Sequence, residues 1–179
     1  LIITAPSISY EITNEDGQIQ EVYAASRFPD YHDKVTVREP WILASIIMPP
    51  EYVGNVMTLL YDHEGNVIDT EVFKDGRNLL TVEMPLRELM RGFFDKLKNA
   101  SSGYASLSYE IAEMRSASVA RLDVLVADEL VPAFSRVIGV RRAESDAKAV
   151  VEKLFKTLPR QMFVVKIQAK TMGRIVASR

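Results

Sequence analysis

The 179-residue sequence predicts an α+β protein of two modules, and three observations carry that reading. Trp41–Met48 is a strongly apolar run of strand length, closed by Pro49-Pro50. Leu86, Leu89, Met90, Phe93, Phe94 and Leu97 follow one helical face, while Arg87, Glu88, Arg91, Asp95, Lys96 and Lys98 fall mostly elsewhere, the pattern of an amphipathic helix on a sheet. The turn-forming run Asn99-Ala100-Ser101-Ser102-Gly103 then leads into Tyr104–Ile111, a strand with aromatics at alternating spacing. Strand, helix, two-stranded hairpin, helix, strand is the βαββαβ order of a ferredoxin-like domain, here spanning roughly Glu39 to Met114.

The remaining elements follow from punctuation. Ile2–Ile12 alternates as a strand, and Glu15-Asp16-Gly17 turns it into Ile19–Ala24. Ser26–Arg38 is polar and irregular and reads as a linker. Pro50 and Glu51 suit the first turn of a helix whose buried face is Val53, Val56, Met57 and Leu60. Asp62–Asn66 turns into the strand Val67–Phe73, and Asp75-Gly76 makes a hairpin into Leu79–Met84, after which Pro85 opens the second helix. The second module begins near Ser116 with the strand Val119–Val126 and an extended stretch Leu130–Ile138. From Ala143 the period becomes helical, with Ala143, Ala147, Val150, Val151, Leu154, Phe155 and Leu158 on one face and Pro159 as the stop. Met162–Ala169, a turn at Gly173 and a return strand Ile175–Ala177 complete it. The strand Leu1–Glu11 is expected to be mobile or an exposed edge that pairs with a neighbouring chain.

Composition excludes several classes. With 47% hydrophobic and 26% charged residues the chain has the make-up of a globular protein with a real core. It has no cysteine, so disulfides and thiolate metal sites are ruled out. Its two histidines, His32 and His63, lie in polar, turn-like surroundings. No apolar run approaches the roughly 20 residues of a membrane span. With Leu1 in place of an initiating Met and no basic leader, the expectation is an excised piece of a longer protein without a signal peptide.

Chemistry is sparse. There is no Gly-rich phosphate loop ending in Lys-Ser or Lys-Thr. Asp62-His63-Glu64-Gly65 fits the short Asp-x-x-Gly pattern of GTPase switch regions, but it stands where a helix must turn into a strand, and the structural reading is preferred. Glu71 and Glu83 could form a carboxylate pair on neighbouring strands, although a solvated sheet edge explains them as well. An acylphosphatase-type site is rejected, because Met48–Glu51 offers two prolines and a carboxylate where an arginine-bearing anion loop is needed.

Charge divides the chain. Residues 1–116 carry 10 Lys and Arg against 18 Asp and Glu, and residues 117–179 carry 12 against 6, giving nets of −8 and +6. The basic part is the candidate for nucleic acid. Its candidate contacts are Arg141 and Arg142 before the helix, Lys148, Lys153 and Lys156 on it, Arg160 after it, and Lys166 and Lys170 in the last strands, where Arg174 and Arg179 extend the basic character. Such cations grip phosphate oxygens and give affinity without sequence readout. Phe155 and Phe163 read as buried, which favours recognition of folded RNA by shape and backbone over stacking. A solvated helix face, with Glu144, Asp146 and Glu152 in mixed pairs, is the competing explanation.

Several stretches resemble the LepA (elongation factor 4) family of translational GTPases in order and spacing. They are IITAPSISY (Ile2–Tyr10), EPWILASIIMPPEYVGNV (Glu39–Val56), Phe93–Glu110, LDVLV (Leu122–Val126) and Val151–Gln168, with the YAS element Tyr104–Ser106 and the PRQMF element Pro159–Phe163 the most distinctive. The resemblance implies that residues 1–37 are the tail strand and linker of a preceding domain. Residues 38–116 would be the ferredoxin-like domain equivalent to the last domain of elongation factor G, and residues 117–179 most of a small α+β C-terminal domain specific to LepA. It further implies a part without catalysis of its own, with GTP and magnesium bound only in a GTPase domain outside this sequence. Expected partners are the ribosome, through rRNA, tRNA and ribosomal proteins, in the cytoplasm, with peripheral association at the inner membrane. Back-translocation and small-subunit assembly are the roles the family suggests. One departure stands out: where the family has a His-Arg-Asp stretch after a serine, alignment on Ser135 gives Gly139, Val140 and Arg141. The alternative is a stand-alone ferredoxin-like regulatory or protein-interaction module that binds through its sheet.

Overall fold

The computed structural model describes residues 8–29, 35–158 and 166–179. The chain divides into two units, one built on Glu39–Arg115 and one on Ser9–Arg38 together with Ser116–Arg179.

The chain opens with the hairpin β1 (Tyr10–Thr13) and β2 (Ile19–Val22), turned at Gly17, whose φ of +76° only glycine adopts cheaply. The long strand β3 (Thr36–Met48) follows, and β1 pairs with its first residues, Thr36 to Arg38. Tyr10 and Ile12 are buried, and Tyr10 meets Phe28 edge-on at 5.5 Å. The expected exposed edge strand is therefore corrected over Tyr10–Glu11: β1 lies between two partners. The expected linker is likewise shorter, since Thr36–Arg38 is already strand. Hydrogen bonds from Ala117 N–H to the Val37 carbonyl (2.9 Å) and from Arg121 Nη1 to the Phe28 carbonyl (2.8 Å) tie this segment to the residues after 116. The sequence sets residues 1–37 apart as one stretch, whereas contacts group Ser9–Arg38 with Ser116–Arg179.

In the first unit β3 pairs with β5 (Asn78–Pro85) over Trp41–Met48, β5 pairs with β4 (Asn66–Val72), and β6 (Ser106–Ser116) joins β3. The order β4-β5-β3-β6 is that of a ferredoxin-like sheet. Pro40, which has no N–H to donate, stands between the β1-paired and β5-paired parts of β3. Ile42, Ala44, Ile46 and Met48 alternate towards the core, where they meet Leu80, Val82 and Met84 of β5. Helix α1 (Val53–Asp62) covers them with Val56 and Leu60, while Met57, expected on that face, is exposed and Leu59 packs instead.

The second helix departs from the expected continuous one. After the single turn α2 (Leu86–Glu88) the chain widens through Leu89–Phe93, with Arg91 at ψ +22° and Gly92 at φ +82°, and resumes as α3 (Phe94–Ala100). Leu86, Leu89, Phe93 and Leu97 are buried, while Met90 and Phe94, expected on the same face, are 42% and 47% exposed. As expected, Asn99–Gly103 ends it: Gly103 N–H returns to the Lys98 carbonyl (2.7 Å), and Ser101 Oγ accepts from Ala105 N–H (3.0 Å).

The second unit centres on β7 (Val119–Val126), flanked by β10 (Ile167–Thr171) on one side and by β8 (Glu129–Leu130) and β9 (Arg136–Gly139) on the other, with β11 (Arg174–Ser178) outside β10. The expected extended stretch Leu130–Ile138 is broken by a tight turn at Pro132–Phe134. Helix α4 (Ala143–Thr157) lays Ala143, Ala147 and Val151 on Leu122, Val124, Ile138, Ile167 and Ala169.

Candidate nucleic-acid interface

Helix α4 carries most of the candidate cations, and its packing decides how they point. Glu144 and Asp146 occupy its first turn and Lys156 its last, each matched to the helix dipole. At 100° per residue the buried Ala147 and Val151 lie nearly opposite Lys156, and Lys153 sits about 60° from it. Both lysines are exposed, with no side-chain partner among the described residues. Lys148, on the other flank, is 2.8 Å from Glu144, whose carboxyl it holds below the usual range by its hydrogen bond, with Arg174 adding to the effect.

The other candidates spread more widely. Arg141 and Arg142 form the tight turn before α4; Arg141 is exposed, and Arg142 is partly buried with Nε 3.9 Å from Asp146. Lys166 is exposed, 3.7 Å from Asp128. Lys170 is exposed and stands opposite Asp123 in the β7–β10 register; strand alternation places it on the sheet face away from Ala169 and α4. Arg160 and the Pro159–Phe163 element lie outside the described residues. The structure thus brings Lys148, Lys153 and Lys156 onto one helix and puts Lys170 behind it.

Phe155 corrects the sequence reading. It is 51% exposed, and the Arg179 guanidinium lies 5.3 Å from its ring centroid. Its angular position, 40° beyond Val151, marks the rim of the apolar face, the one signal that pointed outward.

A second charge cluster, in the first unit, was not foreseen. His63, placed by the sequence in turn-like polar surroundings, is fully buried at the end of α1. Its Nδ1 is 3.1 Å from Glu88 Oε2, and its Nε2 is 3.1 Å from Lys96 Nζ. An ammonium only donates, so in the Lys96 contact Nε2 is the acceptor. Arg87 grips Glu64 through two nitrogens (2.6 and 3.3 Å), stands 2.8 Å from Glu39 and also meets Glu88, which Arg91 approaches to 2.7 Å. Burial pushes the Glu39 carboxyl up to about 7, only partly offset by Arg87. Burial also opposes charge on Glu88, yet the His63 hydrogen bond and the two arginines hold it below its ordinary range.

This cluster also shows what the Asp62–Gly65 pattern does. Glu64 adopts φ +55°, and a Cβ on Gly65 would stand 2.9 Å from Leu60 Cδ2, so the segment is a close helix-to-strand turn. It does not fit a nucleotide phosphate. Among the described residues no three His, Asp or Glu are grouped to hold a metal ion. Glu71 and Glu83 do not meet either: Glu71 faces Leu79 across the ladder, while Glu83 receives a two-pronged contact from Arg115 at 2.8 Å on each oxygen.

Comparison with known proteins matches residues 36–125 to the model of the elongation factor G C-terminus and residues 126–179 to that of the GTP-binding protein LepA C-terminus. Similar sequences include proteins named elongation factor 4 from Ruminiclostridium cellulolyticum (37% identical), Streptococcus suis (40%) and Chlamydia pneumoniae (36%), each over 177 residues. In each case the match covers 99% of this chain and 29% of the relative.

Proposed function

The chain belongs to the LepA (elongation factor 4) family through its elongation factor G-type and LepA-type C-terminal segments, and on that premise we propose that it is the ribosome-contacting part of a translational GTPase. The carrying observation is the pairing of the two segments with a basic second unit, whose helix α4 presents Lys153 and Lys156 away from its packed face. Its role is positional. The ferredoxin-like unit docks on the ribosome, and the basic unit holds tRNA or rRNA through phosphate contacts. GTP hydrolysis with magnesium belongs to a separate domain of the whole protein, which acts in the cytoplasm during back-translocation or ribosome assembly.

The packed face of α4 carries no lysine, and this gives the proposal its test. Reversing charge at Lys153→Glu and Lys156→Glu leaves the core of Ala147 and Val151 untouched. In co-sedimentation with purified ribosomes the expected result is saturable binding by the native chain and at least tenfold weaker binding by the double variant, since each lost phosphate contact removes about 1 kcal/mol or more. Equal binding by both removes α4 from the interface.

A further inference from the structure

We propose that Phe155 and Arg179 form a stacking site for an unpaired RNA base, a readout mode the basic helix alone does not supply. The proposal rests on the RNA-binding reading above and deepens it. Phe155 leaves half of its surface open although it stands on the rim of a packed helix face, and Leu158 beside it is 41% exposed. The guanidinium of Arg179 stands over the ring at 5.3 Å. Its backbone is fixed as well, because Arg179 N–H and C=O both bond to Ile167 at 2.8 Å. An aromatic ring with a guanidinium over it, carried on a fixed strand backbone, offers two planar groups on which bases stack.

Charge selects the occupant. Residues 117–179 have a net charge of +6, and Lys148 and Lys156 bracket Phe155 on α4: Lys148 is seven residues before it, hence nearly on the same side and about 10 Å along the axis. A polyanion that tracks these cations brings its bases to the ring. In a duplex those base faces are already covered by their neighbours, so the site selects single-stranded or looped RNA, with little preference among bases.

The test uses the 179-residue chain and a single-stranded RNA of mixed sequence carrying 2-aminopurine, against a blunt duplex of equal length. The native chain quenches the probe on binding. Phe155→Leu keeps apolar volume without a π-face and weakens single-strand binding roughly 5- to 150-fold, with duplex binding and salt dependence unchanged. Arg179→Lys keeps the charge without the plane and loses quenching, which covers the case of a Phe155 variant that melts early. Native-like quenching and affinity in both variants overturns the stacking site and leaves the basic-helix reading intact. Failure of the native chain to bind either RNA overturns that reading and the stacking site with it.

Discussion

Arg87 stands among Glu39, Glu64 and Glu88, so removing its guanidinium leaves three carboxylates facing one another in a buried space. Arg87→Ala is expected to lower the unfolding free energy by about 3–5 kcal/mol, a large part of a domain's total, read from urea denaturation; a loss below 1 kcal/mol contradicts this account of the cluster. Glu39 adds a pH signature. Its folded pKa of about 7 lies above the ordinary 4.5, so the folded state holds an extra proton between those values. The stability it contributes is present below about 4.5 and is lost as pH rises through 7. Glu39→Gln carries no such proton, so its stability relative to the native chain should improve by roughly 1–3 kcal/mol from pH 4.5 to 8. A gap that stays constant across that range argues against a protonated Glu39. None of this was legible in the sequence, because residues 39, 63, 64, 87, 88, 91 and 96 meet only after the sheet and helices have assembled. Read one at a time they are ordinary surface charges.

At the scale of elements the most informative difference is the break in the second helix. Pro85 and the Ser-Gly turn set its ends correctly, since proline at a start and glycine past an end act locally. Gly92 escaped notice because a lone glycine in a helical pattern is tolerated, and only its φ of +82° shows that it is required. A Cβ there would meet nothing within 4 Å, so the cost of Gly92→Ala is conformational alone, about 1–2 kcal/mol in thermal or urea unfolding. An unchanged midpoint contradicts the left-handed conformation at that position. The same locality explains the strands: the hairpins at Gly17 and Gly76 and the core alternation of β3 were readable, whereas the turn at Pro132–Phe134 inside an extended-looking stretch was not.

For the molecule as a whole, charge asymmetry and family-like segments were legible end to end, and they carried the functional reading further than any single motif. Lys153 and Lys156, three residues apart, were readable as one outward side of α4, whereas the turn of Lys170 to the other face of the sheet came only with the strand register. The rim position of Phe155 was equally hidden, since periodicity marks a face but not where it ends. The proposed function has RNA held through phosphate contacts spread over the basic residues 117–179. Its most direct test is ribosome affinity measured across a salt series for the native chain and the Lys153→Glu, Lys156→Glu variant. The account predicts a steep linear fall of log affinity with log salt, and a slope shallower by about 1.5 in the variant, from roughly 0.7–0.9 per lost contact. A native affinity that barely changes with salt, or a slope the variant leaves untouched, contradicts it and favours binding through the face of the ferredoxin-like sheet.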